Sequence, residues 1–147
     1  MFGSRHSGVA AYAKIGIETG VTAASPHKLI VMLFDGALVA VISAMRHMQA
    51  GEIAAKSEAI TKAMLIVSTG LRASLDKKAG GNIAEGLDSL YHYMVVRLME
   101  ANAKNDEAAL KEVQQLLTEL RDAWNAIGAD TARPANDIDA RTTSARG

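Results

Sequence analysis

The stretch from Ser25 to Gly51 constrains this chain more than any other. Ser25 and Pro26 form a helix start, since a serine hydroxyl can cap free amides and proline has no N–H to leave unbonded in the first turn. Gly51 supplies a stop. The helix expected between them, from Pro26 to about Ala50, carries Leu29, Ile30, Val31, Met32, Leu33, Phe34, Leu38, Val39, Val41, Ile42, Met45 and Met48. These residues cover most of its circumference, whereas a surface helix needs only one apolar stripe. Such a helix is either central in a bundle or shows a second apolar face to another molecule. Its most apolar run, Leu29 to Met45, contains Asp35 and Gly36. The run is slightly short for a membrane span and would hold a charge at mid-bilayer, so it reads as a core helix with no direct membrane insertion.

Three more long helices follow from period and punctuation. Ile53, Ile60, Met64, Val67, Leu71 and Leu75 place one over about Glu52 to Asp76. Lys77-Lys78-Ala79-Gly80-Gly81 is a break. The next helix starts at Asn82 and runs to about Ala103, with Ile83, Leu87, Leu90, Tyr91, Met94, Val95 and Leu98 as its main stripe and Tyr93, Val96 and Met99 as a smaller one. The last begins near Asn105, places Asp106 and Glu107 in a first turn that favours negative charge, carries Leu110, Val113, Leu117, Leu120, Trp124 and Ile127 as its stripe, and closes at Gly128. Four long helices with short connections predict an all-α, antiparallel up-down four-helix bundle over residues 25–128. Residues 1–24 read as an N-terminal arm with at most a short helix. Residues 129–147 hold one large aliphatic, Ile138, and read as a disordered tail.

Catalytic equipment is missing from the pattern. The 147 residues include no cysteine, which excludes disulfides, thiolate nucleophiles and thiolate metal sites. No phosphate-binding loop, dinucleotide fingerprint or nucleophile elbow occurs. No Glu-x-x-His pair is present for a di-iron bundle site, and His6, His27, His47 and His92 stand too far apart for two to share a helix face. No catalytic residue, metal or cofactor is expected. Net charge is zero; no basic stripe stands out, which argues against nucleic acid. The opening Met-Phe-Gly-Ser-Arg-His-Ser-Gly lacks the apolar stretch of a secretory signal, so a cytoplasmic location is expected. Asp35 either lies on the solvated side of its helix or anchors a partner's backbone or basic side chain. The residues alone lead to a bundle with more apolar helix surface than its own core needs. That surplus suits a groove for an amphipathic helix, or a homodimer interface in a purely structural module.

Specific blocks of sequence carry a resemblance. Tyr12, then Thr22-Ala23-Ala24-Ser25-Pro26-His27-Lys28-Leu29-Ile30-Val31-Met32-Leu33-Phe34-Asp35-Gly36-Ala37, resembles the start of the flagellar secretion chaperone FliS family. Lys62-Ala63 with Leu71 and Ser74-Leu75-Asp76 resembles its second long helix. Gly80-Gly81 with Leu90-Tyr91, Tyr93-Met94 and Arg97-Leu98 resembles its third. Ala101-Asn102, Asn105-Asp106, Glu112-Val113, Arg121 and Ala123-Trp124 resemble its last. The likeness covers about residues 9–127, with Phe34 where the family usually has Tyr and an extra Ala before Ser25. It implies a cytosolic chaperone that binds the disordered C-terminal segment of flagellin as helices, prevents premature polymerisation, and delivers it to the export gate protein FlhA. The groove expected from it uses outward residues of the first two long helices: Ile30, Leu33, Phe34, Ala37, Ile60, Met64, Val67 and Leu71. Tyr12, Ile15 and Val21 of the arm are expected to cover the groove or touch the gate. The free protein is expected to be a monomer or weak homodimer.

Overall fold

The computed structural model describes residues 25–131, which are all-helical with no strand among them. The four helices are α1 (Pro26–Gln49), α2 (Ile53–Leu65), α3 (Lys77–Lys104) and α4 (Glu107–Thr131). Each packs on the next, and α4 returns to α1. The short connections make neighbours antiparallel. The turns α1–α2 and α3–α4 form the upper end. The α2–α3 turn, the start of α1 and the end of α4 form the lower end. The arm residues Tyr12, Ile15 and Val21 lie outside the described residues, as does the tail beyond Thr131.

The start of α1 is as the sequence dictates. Ser25 is extended, and its Oγ accepts from Lys28 N at 3.1 Å. Gly51 turns the chain away with φ +72°. Helix α1 is both central and two-faced. It buries Leu29, Val31, Leu33, Phe34, Ala37, Leu38, Ala40, Val41 and Ala44, yet leaves Val39 65% and Ile42 40% exposed. It is long and apolar enough to cross a membrane, but half of its most apolar stretch is buried inside the bundle. The ring of Phe34 packs against Tyr91 with centroids 6.5 Å apart. Burial pushes the Tyr91 hydroxyl well above the usual phenol range.

The second helix is less regular than its periodicity predicts. After Leu65 it continues as a π-helix, Ile66–Leu71, then as a 3₁₀ turn, Arg72–Ser74. In the π register amides bond one residue further back, which frees the carbonyls four residues away. Hydroxyls take some of them: Ser68 Oγ donates to Met64 O at 2.7 Å, and Thr69 Oγ1 to Leu65 O at 2.6 Å. Ser74 Oγ donates likewise to Gly70 O. Small polar residues in mid-helix thus occupy some of the carbonyls that the π register frees.

The break at Gly80-Gly81 is a kink rather than a gap. Asp76 caps a first turn by accepting from Ala79 N at 3.1 Å. Gly81, at φ +54° and ψ −130°, then bends the chain before α3 resumes. Gly128 does not close α4, which runs on to Thr131. Ring packing determines the residue there, because a Cβ on Gly128 would overlap the ring of His27. That ring stacks on Trp124 at 5.2 Å, within 5° of parallel.

The upper corner holds a feature that periodicity does not show. Lys56 is 2% exposed. Its Nζ donates to Asn102 O at 3.0 Å and to Asn105 Oδ1 at 2.6 Å. Asn105 is left-handed, at φ 51° and ψ 47°, and ends α3. The ammonium thus caps the carbonyl end of another helix, where the helix dipole favours a cation.

Candidate functional site

The predicted groove residues fall mostly inside the core. Leu33, Phe34, Ala37, Ile60, Val67 and Leu71 are each at most 3% exposed. Ile30 and Met64 are half-buried against the same cluster. The outward orientation expected for them is therefore corrected. Their helical spacing marked the strongest apolar face of each helix, and that face is the one the bundle consumes.

What remains open on α1 is the opposite stripe: Asp35, Val39, Ile42, Arg46 and Gln49, spaced by four, three, four and three residues. Its charges were the signal that could have identified it. A helix that is apolar nearly all round shows water the side that also carries Asp35 and Arg46. Two grooves flank this ridge. Between α1 and α2 a groove of about 280 Å³ has small residues, Ala40, Ser43, Ala55 and Ala59, along its floor beside Val39. Leu65, 53% exposed, lies further along α2 beside Ser57, Glu58, Thr61 and Lys62. Between α1 and α4 a groove of about 600 Å³ is lined by Ile42, Met45, Arg46 and Gln49 from one side and Glu107, Lys111, Gln114, Gln115, Thr118 and Glu119 from the other.

Electrostatics frame the second groove. Gln49 Nε2 donates to Glu107 Oε2 at 2.6 Å near one end. At the other end Arg121 reaches across to Asp35 Oδ1 at 3.3 Å and also meets Asp122 Oδ1 at 3.2 Å. Hydrogen bonds from Arg121, to Asp122 first and then Asp35, raise its guanidinium above the usual arginine range. Asp35 thus lies on the solvated side, in an ion pair. On the outer side of α3, Tyr93 and Arg97 both bond Glu112, at 2.7 and 2.6 Å, and hold its carboxyl below the usual range. Asp88 pairs with Arg72 and Lys77 rather than with His92, one turn away.

Among the described residues no cluster of three metal-ligating side chains occurs. The described histidines are scattered: His27 stacks on Trp124, His47 Nδ1 lies 2.7 Å from Glu52 Oε1, and His92 is exposed. The methionines divide. Met94 is fully buried, Met45, Met48 and Met64 are half-buried beside the core, and Met99 is 54% exposed. Shallow grooves with apolar floors and polar rims, on either side of one uncovered helix ridge, define a binding bundle suited to a helical or extended polypeptide.

Comparison with known proteins makes that class specific. The family model described as "Flagellar protein FliS" matches residues 8–131. The flagellar secretion chaperone FliS of Salmonella typhimurium is 47% identical over 121 residues, covering 82% of this chain and 90% of that protein. That of Escherichia coli is 43% identical, covering 80% and 86%. The flagellar secretion chaperone FliSB of Pseudomonas aeruginosa is 42% identical, covering 79% and 91%. This chain belongs to the FliS family of flagellar secretion chaperones.

Proposed function

We propose that this protein holds the C-terminal segment of flagellin in the cytoplasm, keeps it from polymerising early, and hands it to the export gate protein FlhA. Family membership supports the reading, and the uncovered α1 ridge with its two grooves is the observation that carries it. A segment that is disordered alone needs a large apolar contact to offset the cost of ordering, of order 2–5 kcal/mol. Val39, Ile42 and Leu65 offer such contact without opening the core. The buried residues Leu33, Phe34, Ala37, Ile60, Val67 and Leu71 support that surface from beneath, with Ile30 and Met64 at its edge. In this reading Tyr12, Ile15 and Val21 belong to an arm that covers the groove or meets the gate. The protein acts by binding and needs no cofactor.

The test is calorimetric titration of the full chain with the C-terminal segment of its own organism's flagellin. Saturable 1:1 binding with a negative heat-capacity change is expected. Val39→Asp with Ile42→Asp should weaken it about ten-fold or more while leaving the far-UV spectrum unchanged. Absence of binding at tens of micromolar, or a tight dimer indifferent to flagellin, would favour a structural module instead.

A further inference from the structure

The groove between α1 and α4 is electrically polar along its length, and this bears on how a client enters it. The inference rests on the reading of this face as a flagellin seat. Ile42 and Met45 supply the apolar floor. Toward the upper end stand Arg46 and Lys111, opposed by Glu107. Glu107 is itself engaged by Gln49 at 2.6 Å and Lys111 at 3.6 Å. At the lower end Glu119 lines the groove, and Asp35 and Asp122 share the single guanidinium of Arg121. One arginine cannot neutralise three carboxylates, so this end is net negative. Gln114, Gln115 and Thr118 between them are uncharged. The next base below Asp35 on α1 is Lys28, seven residues and roughly 10 Å away along the axis, which is about a Debye length at physiological salt.

A docked helix is not electrically symmetric either. Its N-terminus presents bare amides and a partial positive charge, and its C-terminus presents bare carbonyls and a partial negative charge. We propose that the α1–α4 groove admits a client helix in one direction only. The N-terminus of the client meets Asp35, Glu119 and Asp122, and its C-terminus meets Arg46 and Lys111. The client helix therefore runs parallel to α1 and antiparallel to α4. The partner that fits is amphipathic, sets its apolar face on Ile42 and Met45, and carries bases rather than acids in its first turn.

The chain has no cysteine, so single-cysteine variants take one spin label each. Asn125→Cys marks the lower end and Ala108→Cys the upper, both at exposed positions. Each labelled protein is titrated with the isotope-labelled C-terminal flagellin segment, with calorimetry on the same samples. The label at 125 should broaden signals from the N-terminal end of the bound helix, and the label at 108 those from its C-terminal end. The opposite order, or equal broadening of both ends by each label, overturns the proposal. Saturable binding with broadening from neither label places the client elsewhere, which overturns the polarity and leaves the chaperone reading intact; absence of binding removes both. A second variant, Lys111→Glu with Glu119→Lys, exchanges the poles at constant net charge. It should weaken the client about two- to five-fold per exchanged pole at low salt and converge with the parent protein at high salt. Equal affinity at low salt overturns the proposal.

Discussion

The upper corner of the bundle is closed by hydrogen bonds to a buried cation, and the lower end by stacked rings, a missing side chain and ion pairs. At the top, Lys56 binds Asn102 and Asn105, and Ser57 Oγ donates to Asn102 Oδ1 at 3.0 Å. These acceptors are neutral and the bonds to them are part-buried, with Asn105 itself exposed to solvent. At the bottom, His27 lies on Trp124 over Gly128, and the atoms His27 Nε2 and Trp124 Nε1 are buried with no hydrogen-bond partner among the described residues. Nearby, Arg72 Nε donates to Asp88 Oδ1 at 2.6 Å, and Lys77 Nζ stands 3.2 Å from Asp88 Oδ2. The contrast teaches that the upper corner is held by directional bonds that packing cannot replace, whereas the lower end is held by shape and partly exposed charge. The described residues begin and end at the lower end.

The contrast is broken most directly at Lys56. Lys56→Ala removes a packed stem and breaks two part-buried hydrogen bonds, and should cost about 2–4 kcal/mol in urea unfolding. Lys56→Met keeps the stem and should cost less, about 1–2 kcal/mol. A neutral Lys56→Ala would show that the upper corner is held by apolar packing after all. At the lower end, Gly128→Ala gains helix propensity but drives a methyl into the His27 ring. A net loss of about 1–2 kcal/mol is expected, with a shift in the emission of Trp124, the only tryptophan. An unchanged emission spectrum would mean that the stack survives and that shape is not the constraint.

The smallest effect concerns the ion pairs and is read through pH. The hydrogen bond from Arg72, and after it that from Lys77, holds the Asp88 carboxyl below the usual aspartate range. A depressed folded value means that the unfolded chain binds the proton more readily. The contribution is therefore complete above the ordinary aspartate value, near pH 4, and fades as pH falls through the folded value. Asp88→Asn should lower stability at neutral pH by less than about 1 kcal/mol. Its deficit against the parent protein should shrink below about pH 4. A deficit constant down to pH 2 would assign the loss to packing rather than charge.

The helical content, the Ser25 cap, the Gly51 stop and the bundle class follow from the sequence alone. They depend on residues close together in the chain: a hydroxyl three positions from the amide it accepts, a glycine with positive φ, apolar residues recurring every three or four. The π turn after Leu65 was not legible in periodicity, although Ser68 and Thr69 bond carbonyls four residues back within it. The tertiary structure decided which side of α1 is buried. When apolar residues nearly encircle a helix, the pattern has no preferred direction, and only contact with α2, α3 and α4 selects Leu33, Phe34 and Ala37 for the core and leaves Val39 and Ile42 to the outside. The lysine cap, the ring stack that requires Gly128 and the Asp35–Arg121 pair were settled at the same level. Each joins residues 46 to 101 positions apart, a separation at which sequence spacing carries no information about who meets whom.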